Sequence, residues 1–244
     1  NHRLLKFSSA GVWVATYGEK GTGVGQFFSP MGMVMDANGR IIVVDANNDR
    51  LVRFDPTDFT NTFTSLGKVV SGLPSPGTAL GEFNYPVDIA IDDTGTIYVA
   101  DADNYRIQRI PLDGSGNFDV ASGMVIGSLT DLSSISGLAV MGNHVLVSDK
   151  VKDRVCVYTK SGILLSTFGS FGIGDGMFNG PYGIAVDSND MIYVVDQGNH
   201  RVQVFDNTYK YVSEWGELGT EGGSFDLPYG ILTHGSNVYV SELK

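Results

Sequence analysis

Apolar and polar positions recur along this chain in a fixed order. A copy has a start of the form Pro-x-Gly, a short apolar strand, a second apolar strand that ends in Asp, and an Arg five residues after that Asp. The copies begin at five anchors: Pro30, Pro86, Ile135, Pro181 and Pro228. The anchors lie 56, 49, 46 and 47 residues apart, and repeats of about 40–50 residues are typical of four-stranded propeller blades.

The second strand of most copies is continuously apolar rather than alternating. These runs lie at 41–44, 97–100, 145–147 and 192–195. A strand with this pattern is covered on both faces, which happens when sheets stack face to face. The pattern therefore predicts stacked sheets, because a simple sandwich would leave one face of each strand polar.

The two ends of the sequence resemble two halves of one further copy. Residues 3–17 read as a third and a fourth strand, and Pro228 opens a first and a second strand. Reading residues 241–244 on into residues 1–3 reproduces, with one extra residue, the connection at 196–201. The first and last segments are therefore expected to form one blade together.

These patterns predict an all-β fold and a single domain over residues 1–244. The predicted fold is a five-bladed β-propeller of four-stranded antiparallel blades, in which residues 3–17 complete the last blade and close the ring. Closure of this kind leaves no long unpaired inner edge.

Composition agrees with a turn-rich β domain that has a substantial core. The 244 residues are 42% hydrophobic and 18% charged, and 32 of them are glycines. No apolar stretch approaches the roughly 18–20 residues of a membrane span, so a soluble chain without membrane insertion is expected. The first residue is Asn rather than Met and the N-terminal segment does not resemble a secretion signal, which favours a domain of a larger protein. An extracellular or cell-surface location is one interpretation, and the compartment is left open.

Charge argues against nucleic acid as a partner. The net charge is −11, and the 16 Lys and Arg residues are spread along the chain. Binding to a phosphate backbone needs clustered positive charge. The lone cysteine, Cys156, lies in an apolar strand pattern and is expected to be a buried packing residue rather than a reactive thiol.

Acidic and basic residues recur at the turn from second to third strand. The repeated pairs are Asp45/Arg50, Asp101/Arg106, Asp149/Arg154 and Asp196/Arg201. A carboxylate and a guanidinium at this spacing can meet across the turn. Since the pair repeats, we interpret it as a structural ion pair rather than as a catalytic site.

Several residues are candidates for a ligand-binding mouth of the central channel. Those after each anchor should surround the axis: Met31, Val87, Ser136, Tyr182 and Tyr229. Asparagines of the neighbouring turns should add polar contacts on the same face: Asn48, Asn104 and Asn199. Asp88 replaces the glycine of its Pro-x-Gly start and lies near this mouth in the predicted fold. The alternative is that these side chains only plug the channel.

Two further features are interpreted as structural, and one copy departs from the others. Glycine-rich runs at 18–25, 169–176 and 216–223 lack the helix of a phosphate loop and are expected to be turns between blades. The copy at Ile135 lacks both the proline and the preceding Phe of the others. An insertion at 58–62 is expected to lie on the outer rim as tolerated variation.

The clearest copy resembles a known repeat. It runs from Pro181-Tyr182-Gly183 through a strand that ends at Asp196 to Asn199-His200-Arg201 and Val-Gln-Val-Phe, and this pattern is similar to the NHL repeat family. The triplet recurs as residues 1–3 and, relaxed, in the other copies. The resemblance covers nearly the whole chain. It implies a β-propeller used mostly as a recognition platform for proteins, for RNA in some members, or for surface ligands.

The resemblance also brings in an enzymatic alternative, because related propellers include metal-dependent lyases and lactonases. Zinc catalysis needs about three converging ligands, and the chain has only His2, His144, His200 and His234. No catalytic residues and no metal ligands are assigned, although zinc or calcium at the axis stays open. We therefore predict a non-enzymatic binding or scaffolding module for a protein or other surface ligand. A metal-dependent lyase or hydrolase at the channel mouth is the alternative, and RNA binding is disfavoured by charge.

Overall fold

The computed structural model describes residues 1–242, which are β-strands joined by short turns. It contains two compact units, one of residues 1–125 and one that begins at residue 126. The single domain over residues 1–244 therefore stays a prediction.

The first unit opens with two short strand pairs and continues with two larger antiparallel sheets. Its paired strands are β1 (Leu4–Phe7) with β2 (Trp13–Tyr17), and β3 (Glu19–Lys20) with β4 (Gln26–Phe27). The five-stranded sheet contains β5 (Pro30–Met35), β6 (Ile41–Asp45), β7 (Arg50–Phe54), β8 (Thr64–Val70) and β9 (Leu73–Ser75), with helix α1 (Phe59–Thr62) between β7 and β8. The four-stranded sheet contains β10 (Pro86–Ile91), β11 (Ile97–Asp101), β12 (Arg106–Ile110) and β13 (Met124–Ile126).

The second unit repeats the four-stranded sheet twice and ends with a strand pair. Its first sheet contains β14 (Ile135–Met141), β15 (His144–Asp149), β16 (Arg154–Thr159) and β17 (Leu164–Phe168). The next contains β18 (Pro181–Val186), β19 (Ile192–Asp196), β20 (Arg201–Phe205) and β21 (Tyr211–Trp215), and the pair is β22 (Pro228–His234) with β23 (Asn237–Glu242). Short 3-10 turns lie at Ala46–Asn48, Ala102–Asn104, Val120–Ser122 and Gln197–Asn199.

The all-β fold of repeated four-stranded antiparallel sheets is confirmed. Within residues 1–242, β1–β2 and β22–β23 are separate two-stranded sheets, so the five-blade count and the closed ring stay predictions. Leu243 and Lys244, which the predicted connection uses, lie outside the described residues.

The strand register corrects one detail of that connection. Pro228 pairs with Glu242 as Pro181 pairs with Asp196. Glu242 therefore holds the position of the repeat Asp, and the sequence interpretation, which placed Ser241 there, was one residue off. With Glu242 in this position the connection needs no extra residue.

Second strands form the buried centre of each sheet, as their apolar pattern predicts. Val43, Val99, Leu146 and Val194 have no exposed surface. Each belongs to a strand hydrogen-bonded on both sides, and in β6 and β19 the side chains on both faces pack into hydrophobic clusters. Burying a side chain of this size contributes about 1.5–3 kcal/mol, so these strands supply much of the stability.

The glycine of the Pro-x-Gly start permits close approach of neighbouring first strands. A Cβ at Gly137 would lie 2.6 Å from the carbonyl oxygen of Tyr182, and a Cβ at Gly183 would lie 2.7 Å from that of Tyr229. In the first unit, a Cβ at Gly32 would lie 2.9 Å from the Cα of Asp88. These glycines are thus required by backbone packing rather than by a turn.

The insertion at 58–62 does more than extend a rim. It forms α1, and Phe59 packs edge-on against Phe54 with ring centroids 4.7 Å apart. Phe59 also contacts Tyr17 at 5.4 Å and Phe27 at 6.3 Å. Aromatic pairs of this kind add about 0.5–1.5 kcal/mol beyond area burial, so Phe59 of the insertion stabilises the hydrophobic cluster that includes Phe27 and Phe54.

Candidate functional site

The repeat Asp is the centre of a hydrogen-bonded cluster, which we call the clasp. In the sheet β18–β21, Asp196 accepts the backbone N–H of Asn179 at 2.7 Å and Nε of Arg201 at 2.8 Å. Asn199 Nδ2 and Gln203 Nε2 donate to the same carboxylate at 2.8 and 3.1 Å. Asp196 is fully buried, so four donors compensate the loss of water around its charge.

The arginine of the clasp holds the glycine-rich turn that precedes the sheet. Arg201 Nη2 donates to the carbonyl oxygens of Gly174 and Met177 at 2.9 and 3.0 Å. In the first unit, Arg50 Nη2 reaches the Gln26 carbonyl at 2.8 Å and Arg106 Nη2 reaches the Glu82 carbonyl at 3.0 Å. The predicted ion pairs thus lie inside the fold and fasten each turn to its own sheet.

The same arrangement recurs in the first unit. Asp45 accepts Nε of Arg50 at 2.8 Å, and Asp101 accepts that of Arg106 at 2.7 Å. Burial raises the pKa of the Asp45 carboxyl, and hydrogen bonds from Asn48, the Phe28 N–H and Arg50 oppose that rise.

The sheet β14–β17 has a looser clasp. Arg154 approaches Asp149 only through Nη2, at 3.5 Å, and its Nε has no hydrogen-bond partner in the described structure. Lys152 replaces the clasp Asn and Cys156 replaces the clasp Gln, so Asp149 Oδ2 lacks both side-chain donors. Three contacts from Ser133 and Ser134 instead hold Asp149 Oδ1.

The middle residue of the Asn-x-Arg triplet bonds the start of the next sheet. His2 Nδ1 accepts the Ser29 N–H at 2.9 Å, and His200 Nδ1 accepts the Leu227 N–H at 3.3 Å. Carboxylates do the same elsewhere: Asp49 accepts the Tyr85 N–H and Asp153 accepts the Gly180 N–H, at 2.8 and 2.7 Å. We call this contact the latch.

The latch residues share a left-handed backbone conformation. His2, Asp49, Asp153 and His200 all have left-handed φ values of 49–55°, which orients the side chain toward the next start. Asp and His tolerate this conformation better than most residues. Sequence reasoning placed His2 and His200 in the repeat triplet without assigning them a structural contact, and the recurrence of His or Asp at one triplet position was the signal for this role.

The remaining histidines do not assemble into a metal centre either. His144 Nδ1 lies 2.8 Å from the Tyr209 hydroxyl, and His234 is exposed at the end of β22. Within residues 1–242, no three His, Cys, Asp or Glu side chains are grouped as metal ligands.

Asparagines proposed for the mouth lie in the clasp instead. Asn48, Asn104 and Asn199 each donate Nδ2 to the repeat Asp at 2.8–2.9 Å. Each also donates to a carbonyl of the glycine-rich turn at 2.8–2.9 Å. Their amide nitrogens are therefore held by structural hydrogen bonds within each sheet and its turn.

The structure also locates Met31 and Asp88, the two candidate mouth residues of the first unit. Met31, in β5, packs against the buried cluster that includes Ile89 and Val99, as a plug would. Asp88, in β10, accepts the Ile89 N–H at 2.9 Å, and its Oδ1 would lie 2.7 Å from a Cβ at Gly32. Asp88 thus occupies the space that Gly32 leaves open.

The second unit brings two of the predicted mouth residues together. Tyr182 at the start of β18 and Tyr229 at the start of β22 have ring centroids 4.1 Å apart and hydroxyl oxygens 2.9 Å apart. Both are half-buried. Lys150 Nζ lies 4.7 Å from the centroid of the Tyr182 ring, and 3.4 Å from Oε1 of Gln197. We call these four residues the tyrosine surface.

Lys150 and Gln197 were not predicted as binding residues. Each directly follows a repeat Asp, a position that holds alanine in the first unit, at Ala46 and Ala102. The change from a small apolar residue to long polar ones at this position was the available signal. Gln197 Nε2 also donates to the Pro228 carbonyl at 3.1 Å, which ties the surface to β22.

Cys156 is expected to be unreactive in the folded protein. It has no exposed surface, and burial raises the pKa of its thiol to about 11. Since the thiolate is the reactive form, a thiol reagent at about pH 8 should label Cys156 only after denaturant is added. Mass spectrometry of labelled samples checks this, and rapid labelling of native protein would contradict the buried position.

Comparison with known proteins places the chain. The NHL repeat model matches residues 83–110 and 178–205. Each segment begins at the Phe that precedes a sheet, and it contains the clasp and the first three strands of that sheet. The chain carries NHL repeats in these two segments. Mouse NHL repeat-containing protein 3 is 32% identical over 120 residues, which is 46% of this chain and 32% of that protein. A probable peptidyl-alpha-hydroxyglycine alpha-amidating lyase of Caenorhabditis elegans is 29% identical over 68% of this chain and 44% of its own length.

This NHL-repeat chain therefore matches less than half the length of these curated relatives. Solved structures show a similar fold at low identity. Virginiamycin B lyase from Staphylococcus aureus superposes with a TM-score of 0.67 at 16% identity, covering 99% of this chain and 70% of the lyase. A gluconolactonase from Xanthomonas campestris gives 0.62 at 16% identity, over 87% of this chain and 69% of that one. The nidogen/laminin complex gives 0.61 at 17% identity, over 87% and 72%. At such identities the likeness concerns the fold alone.

No helix in residues 1–242 has the length and apolar character to cross a membrane.

Proposed function

We propose that this NHL-repeat chain is a non-enzymatic binding module whose tyrosine surface recognises a protein or other surface ligand. The observation that carries the proposal is the contact between Tyr182 and Tyr229, which presents two aromatic rings with polar tips at the start of neighbouring strands. Tyrosine is enriched where proteins bind one another, because it offers apolar area together with a hydrogen-bonding group.

The surface is rigid, which favours recognition. Its tyrosines extend from β18 and β22, and Tyr182 packs against the buried cluster of Val195, Val202 and Phe225. A preorganised side chain loses little conformational entropy when a ligand binds. The tyrosine surface therefore provides contact area at a small entropic cost.

The roles of the acidic and imidazole groups support a non-enzymatic module. The repeat carboxylates accept the donors of the clasp, and His2 and His200 accept backbone N–H groups in the latch. A general acid or base must exchange protons with a substrate, whereas these groups hold turns and strand starts in place.

A lyase or hydrolase is the second candidate, because the C. elegans relative is named as a lyase and enzymes share the fold. A peptidyl-alpha-hydroxyglycine substrate and a lactone, each incubated with the chain with and without added zinc or calcium, test it directly. Turnover above a denatured control would overturn the non-enzymatic proposal.

A photo-crosslinking residue tests the binding surface itself. Placed at position 229, it should give one specific adduct with a native binding partner, and Tyr182→Ala should suppress that adduct. The same residue at the exposed position 222 serves as the control. Equal adducts from both positions would contradict a binding role for the tyrosine surface.

We also propose that β22–β23 and β1–β2 complete one blade and close a five-bladed ring. Glu242 Oε1 accepts the Asp226 N–H at 3.2 Å, as Asp196 Oδ1 accepts that of Asn179. β1 follows its triplet as β20 does, yet Leu5 and Phe7 are 46% and 53% exposed. Their counterparts in β20, Gln203 and Phe205, are buried. An edge of this kind is suited to pairing with another strand.

A charge exchange tests this closure. By register, Arg3 and Glu242 correspond to Arg201 and Asp196, so Arg3→Glu and Glu242→Arg should each lower the melting temperature, and the double variant should recover most of the loss. Additive losses of melting temperature in the double variant would contradict an ion pair between Arg3 and Glu242. Recovery that depends on protein concentration would show pairing between copies instead, and would overturn closure within one chain.

A further inference from the structure

Lys150 carries a positive charge that the described part of the chain does not neutralise. Its ammonium group lies over the Tyr182 ring at 4.7 Å and beside Gln197 Oε1 at 3.4 Å, and both of these partners are neutral. No carboxylate among residues 1–242 lies within ion-pair distance of it.

The position of this charge is fixed by the backbone. The Lys150 N–H donates to the Ser134 carbonyl at 2.8 Å, and the residue directly follows the buried Asp149 of the clasp. Its side chain packs beside Gly180, whose Cβ would lie 3.7 Å from the lysine Cε. The ammonium group is thus held next to the tyrosine pair, although the residue remains half-exposed.

The surroundings of the Lys150 ammonium group suit a small anion. An ammonium group over an aromatic face is partly desolvated, which strengthens its attraction to a negative partner. Tyrosine hydroxyls on the same surface are hydrogen-bonding groups for the oxygens of such a partner. The acidic charge of the whole chain repels a strongly negative polymer, so a single carboxylate fits better than a polyanion.

We propose that the tyrosine surface binds a carboxylate group of a protein ligand through Lys150. This inference rests on the proposed binding function and specifies its ligand chemistry. The carboxylate comes from an acidic side chain or from a chain terminus, and the aromatic rings contact the adjoining apolar part of the ligand.

Three short peptides test the proposal by NMR titration of the full chain. One is acetyl-Ala-Phe with a free terminal carboxylate, one is the same peptide with a terminal amide, and one is an amidated peptide with an internal Glu. At least one carboxylate peptide should shift the signals of Tyr182, Lys150 and Tyr229. The neutral amide should bind about tenfold more weakly, the effect of one charge-assisted hydrogen bond.

Two lysine variants provide the matched comparison. Lys150→Met should weaken carboxylate binding by about tenfold. Lys152→Met removes the same charge two residues away, where Nζ bonds the Asp131 carbonyl at 3.1 Å, and it should leave binding unchanged. Equal melting temperatures of both variants and the unaltered chain show that folding is intact.

The outcomes separate this inference from the broader proposal. Equal binding of the carboxylate and amide peptides, equal losses in both lysine variants, or no shift with any peptide would overturn the carboxylate site. If all three peptides bind equally and Tyr229→Ala abolishes the shifts, the tyrosine surface remains a recognition surface without charge selectivity. The non-enzymatic function is tested separately by the turnover and crosslinking experiments.

Discussion

Replacement of Asp196 by alanine is expected to lower the free energy of unfolding by about 3–5 kcal/mol. The substitution leaves Arg201, which is 6% exposed, without its buried partner. It also leaves the Asn179 N–H without its acceptor and removes one of the two acceptors of the Asn199 amide. Urea unfolding monitored by circular dichroism measures the loss.

The same substitution at Asp149 is the matched control. This carboxylate has the same place in its sheet, but its arginine lies at 3.5 Å and is more exposed, with 23% of its side chain accessible. Asp149→Ala should therefore cost clearly less than Asp196→Ala. Equal losses would contradict the view that the complete clasp, rather than any buried carboxylate, stabilises the sheet.

Substitution of Gly183 by alanine is expected to destabilise the chain by about 1–3 kcal/mol. The added Cβ would lie 2.7 Å from the Tyr229 carbonyl oxygen and 3.0 Å from the Ile231 nitrogen. Both are backbone atoms of β22, so the two first strands must separate to make room. Because Tyr182 and Tyr229 flank this contact, the separation should also weaken ligand binding at the tyrosine surface.

Gly222→Ala provides the control for Gly183→Ala. A Cβ at Gly222 would meet no atom within 4 Å, and its φ is not left-handed. Thermal unfolding should therefore distinguish the two variants, with Gly222→Ala close to the unaltered chain. If Gly183→Ala were equally stable, close strand approach could not be the reason for glycine in the repeat.

Much of the fold could be predicted because the pattern has strong physical causes. A strand such as β19 is apolar at every position, since sheets cover both of its faces, and its closing Asp is followed at a fixed distance by the Arg that it binds. The all-β fold and the repeated sheets follow from that regularity. The register of β22–β23 was predicted one residue off, because Ser241 and Glu242 are both polar and sequence alone does not decide which residue lies opposite Pro228.

The site was predicted less well, for an identifiable reason. Tyr182 and Tyr229 stood out because the residue after each anchor was expected to surround the axis. Asn199 stood out because asparagine recurs at this position of the turn. That recurrence has a structural cause. A recurring polar residue was assigned to the ligand, whereas its amide closes hydrogen bonds within the turn. Lys150 was overlooked because its contact with Tyr182 joins residues 32 positions apart.

The clasp also determines which segment a gene duplication can copy as one structural unit. The glycine-rich turns at 18–25 and 169–176 are each fastened by the arginine of the sheet that follows, so residues 169–215 contain both halves of their own fastening. A gene duplication with those boundaries would copy a self-sufficient module, whereas one that began at Pro181 would separate the turn from the side chain that holds it. Growth or loss of repeats in related chains should therefore respect the boundary before the turn.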